Sequence, residues 1–143
     1  MAELHLRIVT PDRTIVDRKV AAVSFDGVDG GYGILPRHAP LMTAVSATGT
    51  VKISELDGSI GELFVSDGFA QMQHNVLTLV CEAGEFANEI DLERVKQKEA
   101  EARDKLAGLD KHSADFLKAE ISLKKAMARE TLARRRGGTG SLR

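Results

Sequence analysis

The period of the hydrophobic pattern changes once along the chain, near residue 88, and that change fixes the class of fold. Up to about residue 86 apolar residues alternate or cluster in short runs: Leu4-His5-Leu6-Arg7-Ile8-Val9, Val20-Ala21-Ala22-Val23-Ser24-Phe25, Val51-Lys52-Ile53-Ser54, Leu63-Phe64-Val65-Ser66 and the run 76–81. A period of two sends successive side chains to opposite faces, so these runs predict short β-strands with one buried face. Pro11-Asp12, Asp26-Gly27, Asp29-Gly30, Asp57-Gly58, Asp67-Gly68 and His74-Asn75 lie between them and predict turns, since these residues tolerate or enforce turn backbone. From Asp91 onward Leu92, Val95, Ala102, Leu106 and Leu109 fall three and four apart, interrupted by Glu99. That spacing predicts a helix with Asp91 as its N-cap and Gly108 near its end.

Residues 108–113 form a short connector, and Phe116, Ala119, Leu123, Ala126 and Met127 then make one face of a second helix. Lys118, Lys124, Lys125 and Arg129 fall mostly on the other face. The predicted class is α+β, an N-terminal antiparallel β-sandwich followed by a C-terminal antiparallel two-helix hairpin. Residues 1–87 form the sandwich, 88–136 the hairpin and 137–143 a flexible tail, with a hinge over 83–89. The hairpin seam is rich in alanine and buries little area; at about 25 cal/mol per Å² such a pair is weakly held and opens readily.

Charge is divided along the chain. Residues 1–87 carry 6 Lys+Arg against 11 Asp+Glu, whereas residues 111–143 carry 9 against 3. A basic terminal third on an acidic body calls for an acidic docking surface, in cis or on a partner. Nucleic acid is disfavoured, because one Tyr and no Trp leave no aromatic platform for bases. Cys81 is the one cysteine and lies in an apolar run, so it reads as a buried thiol. No stretch approaches the ~20 apolar residues of a membrane span, so any membrane link runs through a partner. The four histidines at 5, 38, 74 and 112 are scattered, and no H-E-x-x-H, C-x-x-C or G-x-S-x-G occurs, so no catalytic constellation is predicted.

Residues 30–41, Gly30-Gly31-Tyr32-Gly33-Ile34-Leu35-Pro36-Arg37-His38-Ala39-Pro40-Leu41, set three glycines and two prolines around one basic pair. Glycine allows φ > 0 and proline fixes φ near −65°, so the loop is specified by backbone shape. This stretch resembles the G-x-L-G-I-L-P-G-H-A-P-L segment of the ε subunits of F-type ATP synthases. Leu6-Arg7-Ile8-Val9-Thr10-Pro11-Asp12 is similar to the first strand of that family, and Ser66-Asp67-Gly68-Phe69 to its S-G-G-F turn. Arg37 and Asp67 stand where the family has glycine, and Gly31 where many relatives have an acidic residue.

The resemblance implies a non-catalytic subunit of the central stalk, peripheral on the cytoplasmic face of the bacterial plasma membrane and coupling the c-ring to the γ shaft. Its implied partners are γ, the c-ring and the α and β catalytic subunits. Asp29, Tyr32, Arg37 and His38 would lie in the loop facing the c-ring and γ. Lys124, Lys125, Arg129, Arg134, Arg135 and Arg136 would form a basic helix that leaves the sandwich, meets acidic residues of the β subunits and restrains ATP hydrolysis. No cofactor is required.

Glu89-Ile90-Asp91-Leu92-Glu93-Arg94-Val95 is similar to the I/L-D-x-x-R-A motif with which some bacterial members bind ATP. Carried over, the motif implies ATP as a weak regulatory ligand held by Glu85, Ile90, Asp91, Arg94 and Arg129. Val95, Lys125 and Glu101 depart from the pattern, and a carboxylate near a triphosphate repels it. The competing reading makes Asp91 and Arg94 an N-cap with an i,i+3 ion pair. From another class, the rival to the whole assignment is a stand-alone β-sandwich protein-binding module with a helical adaptor.

Overall fold

The computed structural model describes residues 2–139, with side chains through Arg135. Eight strands come first: β1 (Leu4–Val9), β2 (Thr14–Val20), β3 (Ala22–Gly27), β4 (Gly30–Ile34), β5 (Leu41–Val45), β6 (Gly49–Ser54), β7 (Ile60–Gln73) and β8 (Val76–Phe86). A 3₁₀ turn (Ala87–Glu89) leads to helices α1 (Leu92–Ala107) and α2 (Ala114–Thr139). The α+β class stands, a β-sandwich with a helical hairpin after it.

Strands follow the order β2-β1-β8-β7-β5-β3-β4, with β6 pairing β3 and β7. All pairs are antiparallel except β1 with β8. β7 is the spine. Its residues 60–65 pair with β6 and its residues 68–72 with β5, so its partner changes at Ser66-Asp67. There Asp67 adopts φ 53°. The next residue must be glycine, because a Cβ at Gly68 would lie 1.9 Å from the Val80 carbonyl oxygen. The expected Asp67-Gly68 turn is therefore a correction: the pair bends a continuous strand. The run 20–25 is likewise two strands, broken at Ala21.

Alternation delivers the core. Leu4, Leu6 and Ile8 of β1 and Leu77, Leu79 and Cys81 of β8 are buried in one cluster with Val23, Phe25, Val51, Ile53, Leu63 and Val65. Asp26-Gly27 is a second correction, since both residues pair with β4 as the end of β3 and the turn falls on Val28-Asp29. His74 and Asn75 do form the predicted turn, with φ 52° and 63°, the left-handed pair that closes a two-residue hairpin. Burial raises the Cys81 thiol to about 11, the main cause being desolvation of the thiolate.

Asp91 caps α1, its carboxylate accepting from the Arg94 N–H at 3.3 Å. Gly108 is the C-cap, and the Ser113 hydroxyl caps α2 by accepting from the Phe116 N–H at 3.1 Å. The hinge expected over 83–89 is corrected. β8 runs to Phe86 because its ladder with β7 continues to Leu63, and the Glu89 carboxylate accepts from the Phe86 N–H at 3.0 Å and pairs with Arg13 at 3.3 Å. Ile90 and Asp91 alone remain between the 3₁₀ turn and α1. α2 continues as helical backbone to Thr139, into the segment expected as tail; residues 140–143 lie outside the described residues.

Candidate functional site

The second half of α2 and the strands β7 and β8 bring cations and carboxylates together where the two parts of the molecule meet. A small second core holds the contact: Phe64 of β7, Ala87 and Leu132 are buried, with Ile90 and Ala128 packed against them. Leu132, only 2% exposed, was not among the apolar positions read from sequence. Its spacing of six from Ala126 breaks the i, i+3, i+4 pattern, because α2 rests on α1 along its first half and on β7 near its end. Met127, expected on the seam, is 45% exposed.

Around this core run three ion pairs between α2 and the strands. Lys125 bonds to Asp67 of β7, Arg129 Nε lies 3.6 Å from Glu85 Oε1 of β8, and Arg135 donates to Glu62 Oε2 of β7 at 2.7 Å. The Arg129 guanidinium also stands 4.3 Å from the centroid of the Phe64 ring, a cation–π contact. Lys125 and Arg129 thus face the sandwich, a correction to the face predicted for them. Arg134 pairs with Glu130 at 2.8 Å one turn back on the same helix, and Lys124 is exposed. The Arg136 side chain lies outside the described residues. The basic segment read from sequence therefore finds its acidic surface in cis, on β7 and β8.

The residues matched to the nucleotide motif converge at this junction. Glu85 is raised from the usual carboxylate range chiefly by burial, with Glu89 adding to the rise and Arg129, Arg94 and Arg13 opposing it. Arg129 is lowered, first by burial and then by Arg94. Glu85 and Arg129 are thus partly buried together, while Arg94 stands exposed beside them. Asp91 is occupied as a cap, Ile90 belongs to the apolar seat, and Lys125 is turned to Asp67. Beside them a cleft of about 690 Å³ opens between α1 and α2, lined by Lys98, Glu101, Lys105, Lys118, Lys125 and Arg129 among others.

Of residues 30–41, read from sequence as one loop, Gly30–Ile34 is strand β4 paired with β3, and the loop proper follows it. Tyr32 stacks on Phe25 with ring centroids 5.3 Å apart, and its hydroxyl donates to the Asp29 carboxylate at 2.9 Å. Arg37 has φ 66°, and its backbone N–H donates to Asn75 Oδ1 at 2.8 Å, tying the loop to the β7–β8 hairpin. His38 folds its Nδ1 onto the Ala39 carbonyl at 2.7 Å. Val28, Leu35 and Met42 are the apolar residues that sequence reading passed over here; all three are more than 60% exposed. Ile34 and Leu41 enter the core, and the neighbouring Leu35 and Met42 are left exposed on the other side of the backbone.

Comparison with known proteins agrees with this layout. Residues 3–87 match the family model "ATP synthase, Delta/Epsilon chain, beta-sandwich domain". The ATP synthase epsilon chain of Halalkalibacterium halodurans is 36% identical over 136 residues, 94% of this chain and all of that one. That of Clostridium kluyveri is 37% identical over 133 residues, 92% of this chain and 98% of the other. That of Nitratidesulfovibrio vulgaris is 36% identical over 126 residues, 88% and 92% of the two chains. A chain in the Euglena gracilis mitochondrial ATP synthase structure comprising OSCP, F1 and c-ring superposes with a TM-score of 0.79 at 23% identity, covering 92% of this chain and 81% of that one. From the sandwich model and the full-length relatives together, this chain belongs to the ATP synthase delta/epsilon family, on its epsilon-chain branch.

Proposed function

We propose that the chain is the non-catalytic central-stalk subunit that couples the c-ring to the γ shaft, with a helical hairpin that restrains ATP hydrolysis when released. The observation that carries this reading is the seating of α2. Its Arg135 reaches the buried Glu62, while Lys125 and Arg129 are held on Asp67 and Glu85 by partly exposed ion pairs, each of a kind worth roughly 0–1 kcal/mol. A partner offering its own carboxylates can exchange for them at little net cost, so the seat is detachable while the sandwich keeps its separate core. Acidic residues of the catalytic β subunits are the proposed recipients. Val28, Leu35 and Met42, with Asp29, Tyr32, Arg37 and His38, form the proposed face toward the c-ring and γ. On this reading the subunit sits on the cytoplasmic face of the bacterial membrane through its partners; among the described residues no helix is long and apolar enough to cross it.

ATP is proposed as a weak ligand of the junction, held by Arg94 and Arg129. The turning of Lys125 to Asp67 and the carboxylate of Glu101 on the cleft wall both oppose phosphate there. Calorimetric titration with Mg²⁺ and ATP detects it as saturable heat at millimolar nucleotide; absence of heat removes ATP from the scheme.

The test of the brake is truncation after Asn88 in reconstituted ATP synthase. ATP hydrolysis rises and coupling survives if the hairpin restrains rotation; unchanged hydrolysis refutes the brake.

A further inference from the structure

Glu99 is the residue that interrupts the apolar stripe of α1, and the structure shows what it does there. Its Oε2 is buried without a hydrogen-bond donor, the only such side-chain oxygen or nitrogen among the described residues. Across the helix seam, Glu130 on α2 is the acidic neighbour with the largest influence on it. Two carboxylates in that arrangement repel, and neither offers a donor to the other. One proton between them supplies the missing donor.

We propose that Glu99 and Glu130 form a proton-operated catch on the hairpin, in which a shared proton closes the seam and its loss opens it. Three cations border the pair. Arg134 holds Glu130 at 2.8 Å, Arg103 approaches Glu99 at 3.9 Å, and Lys96 adds a weaker attraction to Glu130. With Arg134 fixed on Glu130, Glu130 is the acceptor and Glu99 the donor. The directions of titration agree: the contact with Glu130, then burial, raise Glu99, while the same contact and then Arg134 lower Glu130.

A raised carboxyl in the closed seam contributes stability that is complete below the ordinary carboxyl range and is lost as pH climbs through its raised value. A lowered one contributes stability above the ordinary range and loses it as pH falls through its depressed value. The seam is therefore tightest between the two and loosens on the alkaline side as Glu99 ionises. The pair titrates as a unit, so the two steps belong to the pair. Use of the catch to free the basic arm rests on the proposed brake; the catch itself does not.

The test is made on the isolated full chain. Carboxyl ¹³C NMR is expected to show Glu99 titrating above the ordinary Glu value and returning toward it in Glu130→Gln. Amide exchange in α1 and α2, corrected for intrinsic rates, is expected to accelerate as pH rises through that titration, with the opening equilibrium moving about tenfold per unit of displacement. Glu99→Gln places an amide donor against Glu130 and is expected to abolish the opening on the alkaline side. An ordinary titration of Glu99, or pH-dependent opening that persists unchanged in Glu99→Gln, overturns the proposal.

Discussion

Lys125 of α2 bonds to Asp67, the residue at which β7 passes through left-handed backbone and changes its sheet partner. The point where the sandwich bends is thus also a point where the hairpin is moored. Asp67→Asn keeps a residue that tolerates φ > 0 and removes the charge. The pair is partly exposed, so the expected loss is about 0.2–1 kcal/mol of hairpin docking, with the sandwich unchanged. Amide exchange checks this: α2 accelerates, β1 and β8 do not, and added salt shrinks the difference between the two proteins.

Leu132 is the apolar anchor of the same mooring, seated with Phe64 and Ala87. Leu132→Ala removes most of the seat, and large-to-small changes at such sites cost about 2–5 kcal/mol. Here the cost falls on docking rather than on global folding, because the sandwich has its own core. Limited proteolysis is expected to clip the variant near Ile90-Asp91, where the wild type resists, and to leave an intact sandwich fragment.

Arg37 holds φ 66° on the Gly/Pro loop, at a position where an L side chain crowds its own backbone. Arg37→Gly is expected to raise stability by about 0.5–1 kcal/mol, the residual after glycine's greater freedom in the unfolded chain is deducted. Thermal denaturation measures it. A fall in Tm would show that the arginine side chain contributes contacts that outweigh the strain.

Cys81 gives a pH dependence with a definite sign. Its buried thiol sits at about 11 against an ordinary value near 9, so the folded state favours the protonated form. Stability from this group is complete below about pH 9 and is lost as pH rises toward 11. Denaturant titrations from pH 8 to 11 are expected to show a steeper loss in the wild type than in Cys81→Ala. Alkylation of the thiol at pH 8 is expected to follow unfolding rather than surface chemistry.

How much of this was legible in the letters depends on whether a residue's role is local. The strands around Leu4-Leu6-Ile8 and Leu77-Leu79-Cys81 follow from alternation, and Asp91, Gly108 and His74-Asn75 are caps and turns whose chemistry acts within a few residues. The bend at Asp67-Gly68 was read as a turn because the same letters serve both; only the close approach of Val80 separates them. The ion pairs of Lys125, Arg129 and Arg135 join residues 44 to 73 positions apart, so charge segregation foretold an acidic surface but not which one. Glu99 was visible as a break in a stripe, and its partner was not.

The central claim is that the hairpin acts only when it leaves its seat on β7 and β8. In reconstituted ATP synthase carrying Cys81→Ala, cysteines placed at Asp67 and Lys125 and joined by a short bis-maleimide hold it there. Hydrolysis by the linked enzyme is expected to match that of the enzyme truncated after Asn88, above the rate of the unlinked control. A linked enzyme that hydrolyses ATP no faster than the unlinked one contradicts the claim.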